Sequence, residues 1–266
     1  MRAGVPDFWL SLLVKMAATA AVIVTATHIA ERGSPFWGAL ITALPVAAGP
    51  AYVLLALQAD DAFVAASALS SFAMVGGSVM FATVVGVVAT RLPLLAALAL
   101  GFAVWFAAAV PIGRVEWTPL TALLLNVAVY AACFAATSRI VRRPVPAVHL
   151  RRRWYDHPMR ALLVSALVGG VVTASDAIGP QATGMAAVFP VTFTCLIVVL
   201  YPRLGPEFTA ITLARSIRAM VGFSGFLLTL YLATAAWGPA WGLSLGLATS
   251  IVFSLGMVAA RRALHA

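Results

Sequence analysis

Apolar runs long enough to cross a bilayer follow one another along almost the whole chain, separated by short polar or Pro/Gly marks. A helix of roughly 20 apolar residues spans the hydrocarbon core. On that measure the pattern predicts spans at Met16–Ala30, Phe36–Leu57, Ala62–Thr90, Leu92–Ile112, Thr118–Ser138, Ala161–Ser175, Ala182–Tyr201, Phe208–Ala236 and Ala240–Ala260. The separators are Glu31-Arg32-Gly33, Gln58 to Asp61, Gly113 to Glu116, Pro202 to Glu207 and Trp237-Gly238-Pro239, with a very tight junction at Arg91-Leu92-Pro93. The expected fold is an all-α polytopic membrane protein of about nine transmembrane helices.

Two of these segments carry a proline where a span should be continuous. Pro35 to Leu57 has Pro45 near its middle and Pro50 shortly after, and Pro180 to Leu200 has Pro190. An interior proline removes a backbone hydrogen bond and clashes with the preceding turn. In lipid the freed carbonyl needs a partner inside the protein or in a water-filled cavity. Both segments are therefore expected to be broken or kinked and to face the protein interior.

The two segments lie 145 positions apart, and sliding residues 15–101 onto 160–246 needs no gap. Lys15 then meets Arg160, Glu31 meets Asp176, Pro45-Val46 meets Pro190-Val191 and Phe63 meets Phe208. Further on, Ser71 meets Ser216, Gly77 meets Gly222, Phe81 meets Phe226 and Gly101 meets Gly246. Identities are sparse, but prolines, acids and flanking cations keep one register, as an internal repeat does. The reading divides the chain into a four-helix unit (residues 1–115), a linker helix with a basic loop (116–159) and a second four-helix unit (160–266).

Composition reinforces the membrane reading: 63% of residues are hydrophobic, 9% are charged and the mean hydropathy is +1.03, which leaves no stretch for a soluble domain. Asp7 and Lys15 interrupt the N-terminal run, which is read as a retained helix and not a cleaved signal. The net charge of +9 flanks the apolar spans, so it is read as topological and nucleic acid is not an expected partner. Seven arginines crowd residues 139–160 and mark that loop as cytoplasmic. Alternating outward from it puts fourteen of the seventeen Lys and Arg residues inside, with Arg2, Lys15 and Arg114 outside. The expected location is a bacterial-type cytoplasmic (inner) membrane, with the N-terminus outside and the C-terminus cytoplasmic.

Because the linker helix is odd, the two units should run in opposite senses, related by a pseudo-two-fold axis in the membrane plane. Inverted repeats with short or broken helices in matching positions point to a transporter. The first helix of each unit is also expected to be short, about fifteen residues between its cation and its acid, below the ~20 of a full span.

The basic residue opening the first helix of a unit (Arg160), the G-x-x-x-x-F-P run from Gly184 to Pro190 and Gly205-x-Glu207 resemble the GlpM/YdgC-type small inner-membrane proteins. In the first unit the Pro45 run matches, but Asp61 and Ala62 stand where the second unit has Pro206-Glu207. The resemblance covers each four-helix unit separately and leaves the linker helix and basic loop aside. It implies four-helix chains that insert in both orientations and pair antiparallel, of which this chain would be a tandem fusion. It names no substrate and no catalytic residue.

Candidate solute-binding residues follow from the breaks. Pro45 and Pro190 are matched in position, and Thr42, Thr192 and Thr194 lie within a turn of them, where they either line a cavity or simply re-satisfy freed carbonyls. Arg215 and Arg218 are three residues apart, on one helical face, two to three turns into a long span. They mark an anion path or snorkel to lipid phosphates. Ser71 and Ser216 are the matching small polar positions, where close helix packing is the plainer role. Glu31 and Asp176 form a symmetric acid pair suited to capping or, less plainly, to proton coupling. Asn126 is accounted for by an interhelical hydrogen bond.

Cys133 and Cys195 sit in separate apolar segments and the four histidines are scattered, so no metal site or cofactor is expected. No enzyme signature stands out: no nucleophile elbow, phosphate loop or HExxH. The expected function is transport of a small, anionic or amphiphilic solute through the interface of the units, with solute and lipid bilayer as partners. The rivals are a passive channel of the same architecture and a non-transporting assembly factor for envelope or polysaccharide export.

Overall fold

The computed structural model describes residues 13–21, 25, 48–144 and 156–263. Thr42, Pro45, Glu31 and most of the first two expected spans lie outside them. Among the described residues the chain is helical, with no strand. The helices are α1 (13–21), α2 (Ala48–Ala56), α3 (Asp61–Val88), α4 (Leu94–Ile112), α5 (Pro119–Val141), α6 (Asp156–Ala187), α7 (Val191–Trp237) and α8 (Pro239–Ala263). Five stretches are long and apolar enough to cross a membrane: α3, α4, α5, residues 239–257 of α8 and the run 161–237, which is itself interrupted.

Three glycines separate helices in this part of the chain. Gly179, Gly205 and Gly238 have φ of 77°, 84° and 88° with ψ near 170°. Each immediately precedes a proline, at 180, 206 and 239. The residue before a proline is pushed out of the α region, and this positive-φ, extended-ψ region is open essentially to glycine alone. A Gly-Pro pair therefore ends one helix and starts the next, with proline at the first turn where its missing N–H costs nothing. Gly179 divides α6 into α6a (156–178) and α6b (180–187), and Gly205 divides α7 into α7a (191–204) and α7b (206–237).

One sequence expectation changes here. The helix expected over Ala161–Ser175 is not short: α6a starts at Asp156, ahead of Ala161, and runs on to Ile178. Pro158 sits in the opening turn, where proline is tolerated, and Ser175 and Asp176 do not stop a helix whose first breaker is Gly179. The segment Ala182–Tyr201, expected to be broken or kinked at Pro190, is two helices, α6b and α7a, separated at residues 188–190.

At the position that the ungapped register sets against Gly205 stands Asp60. Its carboxylate caps α3 by accepting from the Phe63 N–H at 2.7 Å, the usual N-cap role of Asp. The linker helix α5 opens with a Thr118/Thr121 capping box and Pro119 in its first turn.

α3 is the interior helix. Within its most apolar window 78% of residues are buried, against 22% in α4, 28% in α5 and 17% in α8. The outer helices thus leave apolar faces to lipid, while α3 packs against α4, α5, α6 and α7. Contacts at its two ends set the directions. Asp61 at the start of α3 stands against Gly238 at the end of α7b, and Gly86 near the end of α3 stands against Ala210 and Leu213 near the start of α7b. The two helices run antiparallel. α5 runs with α3, since its Asn126 reaches the Phe72 carbonyl and its Val129 the next turn at Gly76.

Glycines let neighbouring helices close up on aromatic rings in two places that correspond in the ungapped register. Gly101 on α4 lies against the ring of Phe81 on α3, and Gly246 on α8 lies against the ring of Phe226 on α7b.

Candidate functional site at the broken helix

The break at residues 188–190 lies beside α3. Along that helix Ser67, Ser70, Ser71 and Ser78 recur at spacings that keep them on one side, and all four are buried. Ser70 donates to the Gln181 carbonyl at 2.7 Å, Ser71 to the Gly184 carbonyl at 2.5 Å and Ser78 to the Val188 carbonyl at 2.5 Å. As α3 is followed from residue 70 to 78, its partners advance from 181 to 188. The broken helix therefore runs alongside and parallel to α3, and its interruption falls within the middle third of Asp61–Val88.

A helix leaves its last four carbonyls without partners, and in lipid they cannot turn to water. α6b resolves this locally. Gly184 O takes the Ser71 hydroxyl, Ala186 O takes the Phe189 N–H, Val188 O takes the Ser78 hydroxyl and Phe189 O takes the Val191 N–H. Pro190, with ψ of 41°, is the N-cap of α7a, and its carbonyl accepts from both the N–H and the hydroxyl of Thr194.

Gly184 makes the arrangement possible. A Cβ there would stand 2.1 Å from the Ser67 carbonyl oxygen and 2.9 Å from the Ser70 Cβ. The backbones of α6b and α3 touch at this point, so the glycine of the G-x-x-x-x-F-P run is a close-approach residue.

Two further helices join the contact. Ser71 has one proton, already given to Gly184 O, so the Tyr52 hydroxyl at 2.6 Å must be the donor to Ser71. Tyr52 lies on α2, the stretch following the Pro45 region. On the other side Trp105 Nε1 of α4 donates to Ser78 Oγ at 3.3 Å. Phe189, in the break, inserts among the rings of α4. It stacks on Phe102 at 5.6 Å, meets Trp105 edge-on at 5.1 Å and contacts Phe106 at 6.5 Å. Among the described residues the contacts at the break are hydroxyl, carbonyl, indole and aromatic, with no charge.

The sequence candidates distribute as follows. Ser71 and Pro190 belong to this site. Thr194 gives its hydroxyl to the Pro190 carbonyl, which already accepts the Thr194 N–H, and Thr192 is exposed. Ser216 is half-buried on α7b and makes no side-chain hydrogen bond among the described residues. Arg215 and Arg218 lie on α7b at its border with α5. Arg215 is exposed and donates to the Arg143 carbonyl at 3.4 Å. Arg218 is half-buried, donates to the Ala214 carbonyl at 2.9 Å and lies over the Phe134 ring at 5.3 Å. Beside them Arg143 pairs with Glu207 at 3.3 Å.

Asn126 makes its interhelical bond, at 2.6 Å to the Phe72 carbonyl. Asp176 is exposed. Ser78, Trp105 and Tyr52 were not singled out from sequence, and Phe189 only as part of the Gly184-to-Pro190 run. The recurrence of serine at 67, 71 and 78 in an otherwise apolar run was the available signal. Among the described residues no three His, Cys, Asp or Glu side chains gather as a metal site would require.

The long apolar helices and the irregular backbone satisfied inside the protein define the class: this is an all-α membrane protein. Comparison of the chain with protein families, curated proteins and solved structures gives no match.

Proposed function

We propose that this chain is a membrane transport protein that moves a small solute along the interface of two inverted four-helix repeats, nine helices in all. The repeats are related as a fused pair of GlpM/YdgC-type units, set in a bacterial-type inner membrane with the N-terminus outside. The observation that carries the reading is the break at residues 188–190. A helix interrupted midway along the interior helix, with its carbonyls satisfied by that helix's serines, is the form in which transporters build solute sites.

Two things support an inverted repeat. α3 and α7b, which the ungapped register pairs, run antiparallel. The Gly101–Phe81 and Gly246–Phe226 contacts bring matched register positions together in both units. Arg215 and Arg218 favour an anionic or amphiphilic solute.

The deciding experiment is flux into proteoliposomes containing the purified chain, screened over small metabolites, with Pro190→Ala as the site variant. Saturable flux that falls in Pro190→Ala while the protein stays folded supports the reading. Fast flux with little saturation makes the protein a channel. An absence of flux together with a stable protein partner on pull-down makes it an assembly factor.

A further inference from the structure

Sixteen of the seventeen cationic side chains are arginine, and the exception is Lys15. The difference is chemical. A guanidinium stays protonated throughout the physiological range, whereas an ε-ammonium can give up its proton. At the matched position of the second unit, residue 160, the chain returns to arginine.

Lys15 is also more deeply placed than a topological cation needs to be. It is 7% exposed, and its Nζ donates to Thr173 Oγ1 of α6a at 3.3 Å. Asp176 follows three residues later on the same side of α6a, close enough for its charge to act on the ammonium, and is itself exposed. One turn along α1 from Lys15, Thr19 is 1% exposed and its hydroxyl has no partner. No other residue of 13–21 is charged, and Asp176 is the one charge facing Lys15 from α6a among the described residues. Ionisable side chains held among membrane helices mark ion paths and proton relays.

We propose that Lys15 and Asp176 form a proton-binding site reached from the outer face, and that the proton is the coupling ion of the transport reading, on which this last step rests. The exposed carboxylate meets water, and the buried amine holds the proton. On release the proton passes from Nζ to water at the outer face, beside the exposed Asp176 carboxylate, with no other bond made or broken. Thr173 Oγ1 accepts from the ammonium. The arginines elsewhere hold orientation without joining this exchange.

Because the chain has one lysine, incorporating lysine enriched in ¹³C at Cε labels a single side chain. The full chain in lipid nanodiscs is followed by NMR from about pH 5 to about pH 10. The expected result is a reversible titration of Lys15 within the range where the protein stays folded, with the midpoint moved by about one unit or more in Asp176→Asn. A Lys15 signal that does not titrate, or a midpoint indifferent to Asp176→Asn, overturns the site. If that variant does not fold, titration of the unaltered chain decides. Coupling is tested separately with Lys15→Arg, which keeps the charge but cannot release the proton. Flux in that variant should persist and lose its response to an imposed pH gradient. Flux still driven by the gradient would overturn the coupling while leaving transport itself intact, and absence of flux in the unaltered chain would count against transport without touching the titration.

Discussion

The Ser78 hydroxyl donates to the Val188 carbonyl and accepts from Trp105 Nε1, so one side chain ties the interior helix to both the broken helix and α4. Removing it leaves a buried carbonyl and a buried indole N–H without partners. Measured hydrogen bonds in membrane proteins average ~0.6 kcal/mol, whereas an orphaned buried group costs about 1–3 kcal/mol. The second effect decides here. Ser78→Ala should lose about 1–2 kcal/mol in denaturant unfolding of the detergent-solubilised protein. Thr192→Ala, at an exposed position, should lose almost nothing. Equal stabilities would mean that the Val188 carbonyl has another donor.

Gly184 tolerates no side chain. Gly184→Ala places a carbon 2.1 Å from backbone oxygen, and backbone cannot step aside as a flexible side chain can. The expected cost is at least about 2 kcal/mol, at the upper end of overpacking penalties, with reduced yield of folded protein. Gly170→Ala makes the control, since nothing lies within 4 Å of its added carbon. A helical Gly→Ala there should be neutral or gain up to about 1 kcal/mol. A thermal-unfolding comparison of the two variants checks the contact.

Arg215 and Arg218 separate two roles. If they line an anion path, Gln at either position should cut flux of the transported solute severalfold while folding persists. If Arg218 serves packing alone, Arg218→Gln should leave flux intact and cost about 0.5–1 kcal/mol from its lost place over the Phe134 ring. Arg215→Lys should be harmless in the packing case, because Arg215 is exposed and its one described contact is a long one, 3.4 Å.

Orientation is open to direct measurement. Arg142 and Arg143 close α5, and Glu207 and Arg215 lie at the start of α7b beside them. Asp61 and Gly238 meet at the opposite end of the bundle. Reporter fusions at residue 150 and at the C-terminus should both report the cytoplasm. Periplasmic activity at either position would overturn the charge-based topology and the inversion that depends on it.

Much of this molecule is written locally. Apolar length set the helices, and the expected Ala62–Thr90, Leu92–Ile112, Thr118–Ser138 and Ala240–Ala260 differ by three residues or fewer at each end from α3, α4, α5 and α8. Proline and glycine set the interruptions, because φ restriction and the missing N–H act within a residue or two. That is why a break at Pro190 was legible. The lengths of α6a and α6b were less legible. Polar residues such as Ser175 and Asp176 resemble a span's end in a hydropathy reading, yet helix propensity does not stop there and only Gly179 stops it.

What only the tertiary structure decided is which groups answer the break. The ungapped register sets Phe223, not a serine, against Ser78, so a search guided by internal symmetry passes over it. Its role exists because α3 runs beside residues 180–204 at the one depth where Val188 needs a donor. The same holds for the antiparallel seating of α7b and for Lys15 meeting Thr173 across 158 residues of chain. A sequence states how far each helix extends and where its backbone is left without partners. The packing of distant helices supplies those partners, and a hydrogen bond between residues far apart in the chain leaves no local mark on either one.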